Sequence, residues 1–565
     1  MKQLFTSLFT LLIIGNTFAQ KEIPKDYFDN PIKIPLILSG SFGELRSNHF
    51  HSGMDIKTKQ VEGVPIHAPA DGYVSRIKVG HFGFGKALYL KHPNGYSTVY
   101  AHMQRYEGNI QEMVKNAQYK KEKYEIELFP EPADIPVKKG DIIGYTGNSG
   151  SSGGPHLHFE IRDAASRPMN PMLFGIEIPD TKKPIINSVF AYPMGDNAQV
   201  NGNSKPYKVR LHKQKDGSYK AENIEAFGKI GFGISTYDQQ NGASNKNGVY
   251  QISTAHNGQE KFNVLFEKFS FSETRYINRF IDYKYFKKNR SRVQKLFRES
   301  NNPLSIIKNE EQNGFITISD TFESIFTIEV CDYRDNKVLI TIPIKGVAQK
   351  ELESKADNNN LEYIVSSGNT SMSHGKFDIF FPAESLYEDM YLDISARGDT
   401  LSFHKDIVPI HKNITISADI SNYKTADRSK LYLGRLNYKG VPYYSNTKLE
   451  GNVLKTRVRT FGDYVIASDT TNPKIRPVNF SDGKWISNNK TLQLKITDYE
   501  SGISSYRATL NGKFILTEYE YKKNVLTYDF DDNIITDSEN NLKLIVTDNV
   551  GNSTIFEATF FRKQS

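Results

Sequence analysis

The chain has 565 residues, too many for a single hydrophobic core, so three to four domains are expected. Its composition, 38% hydrophobic and 24% charged, is that of a folded soluble protein and excludes a low-complexity chain. Cys331 is the only cysteine, which excludes an intrachain disulfide and means that His, Asp or Glu must hold any bound metal. The net charge of +8 favours an anionic partner only weakly, and we expect no nucleic-acid partner.

Residues 1–19 have the pattern of a signal peptide. Lys2 supplies a short positive segment, an apolar stretch follows over residues 4–14, and Thr17 and Ala19 are the small residues expected before a cleavage site. The apolar stretch is short for a membrane span, and no later stretch reaches the roughly 18 apolar residues that a spanning helix needs. We therefore expect an exported protein without a transmembrane span after cleavage, retained in the periplasm, associated with the cell envelope, or secreted.

Residues 20–175 are expected to form a β domain that carries the chemistry. Residues 86–91 and 96–101 alternate between two faces and flank a Pro-Asn-Gly turn, which predicts a β-hairpin. Residues 108–123 are charged and helix-like, so we predict a helix or lid inserted into the β domain.

Two pairs of side chains in this domain are candidates for metal ligands. A spacing of four puts His51 and Asp55 on one face of a helix or a strand, although such a pair alone is more often incidental. In a strand, His156 and His158 share one face while Leu157 between them packs into the core. Because this second pair follows a Gly/Ser-rich loop, we interpret it as functional.

His102 ends the second strand of the predicted hairpin. By alternation, His102 should share the polar face of that strand with Thr98 and Tyr100. A lone histidine there would more often be structural. Together with the two pairs described above, it becomes a candidate general acid or base.

In their order along the chain, these segments resemble the LytM/lysostaphin-type zinc endopeptidases, a family that hydrolyses peptidoglycan cross-links or stem peptides. The family pattern is His-x-x-x-Asp, then Tyr-x-His, then a Gly-rich loop that leads into His-x-His. Residues 51–55, 100–102 and 147–158 match it. The segment over about residues 105–136 is longer than the family's usual link. Supporting matches are HAPADGYV at 67–74, VKKGD at 137–141 and RPMNP at 167–171.

The resemblance implies an antiparallel β-sheet peptidase domain with one zinc ion, held by His51, Asp55 and His158. Three protein ligands with a water in the fourth position are typical of catalytic zinc, which activates that water and polarises the scissile carbonyl. The family's two other histidines correspond to His102 and His156. Either could take the proton from the water or stabilise the oxyanion, and the sequence does not apportion the two tasks. The implied substrate is peptidoglycan peptide, and which bond is cut stays open.

Beyond residue 175 the chain changes to short alternating strands with Gly, Asn and Asp turns. One pattern occurs twice: a strand ends in Asp, a turn follows, and Asn comes after the turn. The two copies are VCDYRDN at 330–336 and VTDNVGN at 546–552. This repeat predicts two β-sandwich modules of immunoglobulin-like type over residues 176–349 and 471–565, with a β-rich module over 350–470 between them.

Two alternatives concern what the whole chain does. A catalytically silent relative could bind the cell wall or activate another hydrolase, but such relatives usually lack one or more ligands, and here all are present. In the second alternative the modules beyond residue 175 carry the main function, as an adhesin with an accessory peptidase. These modules contain no recognisable catalytic cluster, and this alternative stays open. We expect them to bind envelope proteins or glycans, or to act as spacers, and to be dispensable for bond cleavage.

Overall fold

The computed structural model describes residues 22–348, 361–534 and 537–563. The predicted signal peptide lies outside these residues. Strands dominate all three ranges, which confirms the expectation of a mainly β chain. Within the same ranges, none of the helices is long and apolar enough to cross a membrane.

The N-terminal part of the chain folds around one large antiparallel sheet with a small sheet beside it. The strands are β1 (Leu38–Gly40), β2 (Met54–Lys57), β3 (Pro65–His67), β4 (Gly72–Val79), β5 (Lys86–Lys91), β6 (Ser97–Ala101), β7 (Arg105–Tyr106), β8 (Ile126–Leu128), β9 (Pro136–Val137), β10 (Ile142–Tyr145), β11 (His156–Arg162) and β12 (Pro168–Met169). The large sheet has the spatial order β1-β2-β11-β6-β5-β4-β8, with β12 beside β11 and β9 beside β4. The small sheet has the order β3-β10-β7.

The predicted hairpin is present as β5 and β6, which pair in antiparallel register from Lys91 opposite Ser97 to Leu88 opposite Tyr100. Gly95 in its turn has a φ of 92°, a conformation that glycine adopts without steric cost. The predicted helix is α1 (Gly108–Lys121). A 3₁₀ helix, Pro171–Phe174, closes this part of the chain.

One face of the large sheet packs into the main core of the N-terminal part. Leu157 and Phe159 of β11 lie on that face and are fully buried, as the alternation of β11 predicts. Tyr100 of β6 lies opposite Phe159 and enters the same core. The opposite face therefore carries His156 and His158, and it faces away from the main core.

Residues 185–346 form one continuous twelve-stranded sheet around a second core. Most of its neighbouring strands are antiparallel, but Lys337–Gly346 pairs in parallel with two strands. Helical turns cover Thr274–Tyr276, Ile277–Phe280, Tyr283–Asn289 and Gln312–Gly314. The strands are Ile185–Val200, Tyr207–Val209, Leu211–Lys213, Tyr219–Ala221, Ile224–Tyr237, Gln251–His256, Gln259–Leu265, Gln294–Lys295, Ile307–Glu310, Ile316–Ile318, Glu323–Cys331 and Lys337–Gly346.

Residues 362–468 enclose a third core between two five-stranded sheets, with a two-stranded ribbon beside them. A 3₁₀ helix spans Arg428–Lys430. The strands are Glu362–Ile364, Thr370–His374, Phe377–Phe381, Met390–Leu392, Ile394–Arg397, Thr400–Phe403, Ile414–Asp419, Leu431–Leu436, Pro442–Tyr444, Lys448–Glu450, Val453–Val458 and Gly462–Ser468.

Residues 474–561 enclose a fourth core between a four-stranded and a five-stranded sheet. A 3₁₀ helix spans Phe530–Asp532. The strands are Lys474–Pro477, Lys484–Trp485, Thr491–Thr497, Ile503–Leu510, Lys513–Ile515, Thr517–Glu520, Val525–Asp529, Glu539–Asp548 and Ser553–Phe561.

Two of these cores draw side chains from distant parts of the chain. Phe42 and Phe50 come from the N-terminal part and are buried in the core of the twelve-stranded sheet. Leu516 comes from the last module and is buried in the N-terminal core. Burial of one such side chain contributes about 1.5–3 kcal/mol, so these contacts tie the parts of the chain together.

Candidate metal centre

Three buried side chains on the outer face of the large sheet meet at one point. Asp55 on β2 lies directly opposite His158 on the neighbouring β11, and His51 lies in the loop that leads into β2. His158 Nδ1 is 2.9 Å from Asp55 Oδ1, and His51 Nε2 is 3.0 Å from the same oxygen. The two nitrogens are 3.1 Å apart. The structure thus brings together the three residues that the sequence predicts as ligands.

The loop that carries His51 depends on a glycine. A Cβ atom on Gly53 would lie 2.3 Å from the backbone oxygen of Phe159, far closer than van der Waals contact. Only glycine lets the chain run this close to β11. That close approach places His51 over Asp55 and His158.

The hydrogen bonds behind the two imidazoles fix which nitrogen faces the centre. His51 Nδ1 is 2.7 Å from the backbone oxygen of Ser41, and His158 Nε2 is 2.9 Å from Glu160 Oε1. A carbonyl and a carboxylate can only accept, so these outer nitrogens carry hydrogens. Imidazoles that are neutral would then present the lone pairs of His51 Nε2 and His158 Nδ1 to the centre. Such outer hydrogen bonds are usual for metal-ligating histidines.

The donor set therefore fits a metal ion. When both imidazoles are neutral, two nitrogen lone pairs and a carboxylate oxygen face one another, and a cation satisfies all three. The other oxygen of Asp55 is 3.0 Å from Arg46 Nη2, which leaves Oδ1 as the single oxygen directed to the centre. His51, Asp55 and His158 could together hold one metal ion, with its remaining positions open to water or substrate.

The electrostatics of the cluster also favour a cation. Burial raises the pKa of Asp55, but the charge of His51 and hydrogen bonds from the histidines outweigh burial and hold this pKa well below its ordinary range. Burial lowers the pKa of His158, but hydrogen bonds to Asp55 and Glu160 outweigh it and raise this pKa to about 9. The site between the two carboxylates thus attracts positive charge, which a bound metal would supply in place of a proton.

Glu160 supports the centre and is not predicted from the sequence. It is fully buried, accepts a hydrogen bond from Ser52 Oγ at 2.5 Å, and lies 2.5 Å from Arg162 Nε. Burial raises its pKa, but the charge of Arg162 and the bond from His158 lower it to about 2. The sequence did contain a signal for this role: Glu160 lies two residues after His158, so the two side chains share one face of β11.

His102 reaches the centre by a different route from the one the alternation predicts. Thr98 and Tyr100 do not form a polar face: both are fully buried, and Tyr100 packs in the main core against Phe159. The prediction that His102 shares their face is wrong. His102 lies just past the end of β6 with a φ of 59°, and this left-handed turn interrupts the alternation and directs the imidazole to the outer face.

Two further imidazoles, His102 and His156, stand beside the centre with their ring centroids 4.8 Å apart. His102 Nδ1 is 2.9 Å from the backbone oxygen of Ser149, and His156 Nδ1 is 2.8 Å from that of Gly154. Both rings therefore carry hydrogen on Nδ1 and expose the lone pair of Nε2. Burial, with the charges of His158 and His156, lowers the pKa of His102 to about 3. His102 is therefore neutral at physiological pH, and its Nε2 can accept a hydrogen bond.

A groove of about 450 Å³ opens beside the centre. Asp55 and His156 form part of its wall, together with the Gly-rich loop at residues 153–155. Lys57 and Lys59 add positive charge along it. An extended ligand that carries carboxylates would match this groove.

A buried His/Asp/His cluster beside a groove on a β-sheet is the kind of site that metal-dependent hydrolases use. The comparison with known families agrees: the model of peptidase family M23 matches residues 49–119 and 133–171. The chain carries a peptidase M23 domain of the LytM/lysostaphin type. The unmatched residues 120–132 fall within the long link noted in the sequence. Residues 362–469 match the Zu5-like domain.

Curated relatives match over part of the chain. The DD-carboxypeptidase/endopeptidase Mpg of Neisseria meningitidis serogroup B is 31% identical over 139 residues, 24% of this chain and 25% of that protein. The peptidoglycan DD-endopeptidase ShyC of Vibrio cholerae is 34% identical over 98 residues, 17% of each chain. The chain thus spans a quarter or less of the length of these relatives.

Among solved structures, the catalytic domain of lysostaphin from Staphylococcus simulans is 22% identical to the matched region. The match covers 24% of this chain and 90% of that one, with a TM-score of 0.19. A score of this size adds no weight to the assignment, which depends on the family model and the curated relatives.

Proposed function

We propose that the protein is a zinc-dependent endopeptidase that hydrolyses peptide bonds in bacterial peptidoglycan. The observation that carries the proposal is the convergence of His51 Nε2, His158 Nδ1 and Asp55 Oδ1, each within 3.1 Å of the other two. The M23 domain and relatives named as DD-endopeptidases supply the reaction class. A catalytically silent role is disfavoured because all five site residues are present and close together.

In this proposal His51, Asp55 and His158 hold one zinc ion. When bound, zinc supplies a Lewis acid that polarises a carbonyl and lowers the pKa of a coordinated water. Ser41 and Glu160 keep the two ligand imidazoles in the required tautomer through the hydrogen bonds described above. Arg46 pairs with the second oxygen of Asp55, so that the first oxygen faces the ion.

The proton transfers fall to His102 and His156. Because burial lowers its pKa to about 3, His102 is neutral at physiological pH, and its free Nε2 can accept a hydrogen bond that orients a nucleophilic water. His156 Nε2 lies 3.4 Å from Asp55 Oδ1, and once this nitrogen is protonated it can donate a hydrogen bond to an oxygen that reacts at the centre. The two imidazoles are adjacent, so the tasks of base and oxyanion donor are shared between them.

The wider proposals concern the whole chain. We propose a division into a signal peptide at 1–19, a peptidase domain at 20–175, and modules at 176–349, 350–470 and 471–565. Export would place the peptidase domain at peptidoglycan, in the periplasm or at the cell envelope. The modules would bind envelope proteins or glycans.

Digestion of purified sacculi tests the proposal. The chain from residue 20 onward, loaded with zinc, is incubated with sacculi, and the released fragments are weighed by mass spectrometry. Peptide-linked fragments whose masses report a cut peptide bond are expected, and the masses identify that bond. His158→Ala is the matched inactive control. Release of no fragment by a folded, zinc-loaded chain, or equal release by the control, would overturn the proposal.

A further inference from the structure

A second cluster of ligand-type side chains lies where the N-terminal part joins the twelve-stranded sheet. One carboxylate oxygen from each of Asp180, Asp238 and Asp332 lies within 4.8 Å of the other two. Asp238 and Asp332 are buried, and Asp180 is half-buried. In the part of the chain that the structure describes, none of the three forms an ion pair. Three carboxylates this close repel one another strongly when they are away from water.

Two cationic side chains close in sequence to the cluster bond to backbone oxygens and not to its carboxylates. Lys182 Nζ donates to the backbone oxygens of Gln240 and Ala243, at 3.0 and 3.3 Å. Arg334 Nε donates to the backbone oxygen of Ile178 at 3.0 Å. The side chains that could neutralise the cluster are therefore engaged with carbonyl groups.

Two buried oxygens at the cluster also lack a donor. Across the described residues, Asp238 Oδ1 and Gln240 Oε1 have no hydrogen-bond partner, and the two residues are only 3% and 5% exposed. Both line a cavity of about 20 Å³, together with Asp180 and Asp332. About 10–15 Å³ suffices for a single water-sized occupant. A cation in this cavity would satisfy the unpartnered oxygens of the residues that line it.

We propose that Asp180, Asp238, Asp332 and Gln240 form a calcium site. All the donors are oxygens, the ligands that hard cations prefer, whereas zinc and copper favour nitrogen or sulfur. Calcium accepts irregular oxygen cages, while magnesium demands near-ideal octahedral geometry. The carboxylate of Asp332 is already oriented by the backbone N–H groups of Arg334 and Asn336, each at 2.8 Å.

The ion would stiffen the joint between the peptidase domain and the next module. Asp180 is two residues after the buried Ile178 of the N-terminal core. In the turn that follows Asp332, Tyr333 Oη donates to the backbone oxygen of Met172 at 2.7 Å. Ser41, which lines the same cavity, accepts from Gly248 N through its hydroxyl at 2.8 Å.

Ser41 also connects the joint to the metal centre. Its backbone oxygen is the acceptor for His51 Nδ1, so any shift of this residue changes the orientation of a proposed zinc ligand. Calcium at the joint would therefore help to keep His51 in place. The calcium site itself does not depend on the proposed peptidase activity.

The last module repeats the arrangement. Asp469, Asp498 and Asp548 also bring three carboxylate oxygens within 4.8 Å of one another. Asp548 accepts from the N–H groups of Val550 and Asn552, as Asp332 does from its own turn. In the first cluster, Gln240 lies two residues after Asp238. The corresponding position in the last module, two residues after Asp498, is the exposed Glu500, so this cluster has no buried, unpartnered amide. The proposal is confined to the first cluster.

The test compares calcium binding by the full zinc-loaded chain and two variants. Calcium-free protein is titrated with calcium chloride up to about 10 mM, above the range of extracellular calcium modules. Asp238→Asn should lose one calcium per chain or weaken that site at least about 10-fold, since even outer-shell partners are worth 10–100-fold. Asp335→Asn, the same change at an exposed position of the neighbouring turn, should bind like the parent.

Unfolding temperature gives a second readout. Calcium should raise it for the parent and for Asp335→Asn but not for Asp238→Asn, because only an intact site gains stability from the ion. If Asp238→Asn does not fold, Asp180→Asn at the half-buried position takes its place. The proposal is overturned if the parent binds no calcium, if it binds magnesium instead, or if the folded site variant binds calcium like the parent.

Discussion

Lys86 Nζ lies 2.7 Å from Glu518 Oε2, although 432 residues of chain separate the two side chains. Lys86 begins a central strand of the peptidase sheet, and Glu518 lies on a strand of the last module. Next to this pair, Leu516 is buried in the peptidase core, and Asp532 accepts from Tyr119 Oη of α1 at 2.5 Å. The last module is therefore packed against the domain that carries the metal centre.

This packing predicts that Leu516→Ala destabilises the peptidase domain. Truncation of a buried leucine typically costs about 2–5 kcal/mol, because the contacts are lost and a cavity remains. Scanning calorimetry should show a lower unfolding temperature for this variant. Leu449→Ala removes the same atoms at a position that is 43% exposed and should behave like the parent. Equal unfolding temperatures for the two variants would contradict the shared core.

The division of roles at the centre predicts two classes of variant. His51→Ala, Asp55→Ala and His158→Ala each remove a proposed ligand, so bound zinc and activity should fall together. His102→Ala and His156→Ala should keep zinc while turnover drops by about 10²–10⁴-fold, as for loss of a positioned acid or base. Metal content and turnover are measured on the same folded samples. If His156→Ala lost zinc as fully as His158→Ala, the assignment of His156 would fail.

Gly53→Ala should disrupt the centre without touching a ligand. The new Cβ would lie 2.3 Å from the backbone oxygen of Phe159, so the loop that carries His51 must move. We expect weaker zinc binding, measured by competition with a chelator. Gly153→Ala is the control, since a Cβ there meets nothing within 4 Å. Unchanged zinc affinity in Gly53→Ala would show that the close approach does not position His51.

The sequence predicts the short motifs of the site, but it does not predict the local turn at His102 or the long-range contacts around the site. The spacing of His156 and His158 and the order of the motifs predict side chains that the structure brings together. Simple alternation fails at His102, because a left-handed residue at the end of β6 cannot be recognised from residue type. The contact of Lys86 with Glu518 joins residues that are far apart in the chain. Patterns of neighbouring residues in the sequence cannot predict such a contact.

The acidic cluster at the joint predicts an unusual dependence of stability on pH. Burial, with the charges of Asp180 and Asp332, raises the pKa of Asp238 to about 7 from its ordinary 3.8. Because the folded state then binds the proton more tightly than the unfolded state, the contribution to stability is full below about pH 3.8 and is lost as pH rises through 7. The nearby Lys182 and Arg334 donate to backbone oxygens and do not offset the repulsion.

Calcium-free protein should therefore lose stability between pH 4 and pH 7 more steeply than Asp238→Asn, which cannot ionise there. Unfolding in urea at a series of pH values measures the difference between the two. With saturating calcium the parent should lose this dependence, because the ion favours the charged carboxylates. Identical pH profiles for the calcium-free parent and the variant would show that Asp238 ionises normally.

Lys522 of the last module holds the Gly-rich loop of the metal centre. Its Nζ donates to the backbone oxygens of Asn148, Gly150 and Ser152, at 2.6, 3.2 and 3.2 Å. The neighbouring carbonyls of this loop, at Ser149 and Gly154, accept from His102 and His156. A cation from the last module thus fixes the segment that orients both proposed proton-transfer groups.

We therefore expect Lys522→Met to lower kcat while zinc content and unfolding temperature change little. Misplacement of a catalytic group by about 1 Å can cost up to about 10²-fold in rate, and methionine keeps the apolar stem without the charge. Lys523→Met, the same change at an exposed neighbouring position, should leave kcat unchanged. The sequence instead predicts that the modules beyond residue 175 are dispensable for cleavage. Equal kcat in both variants would support that prediction, whereas a selective loss in Lys522→Met would make the last module part of the catalytic apparatus.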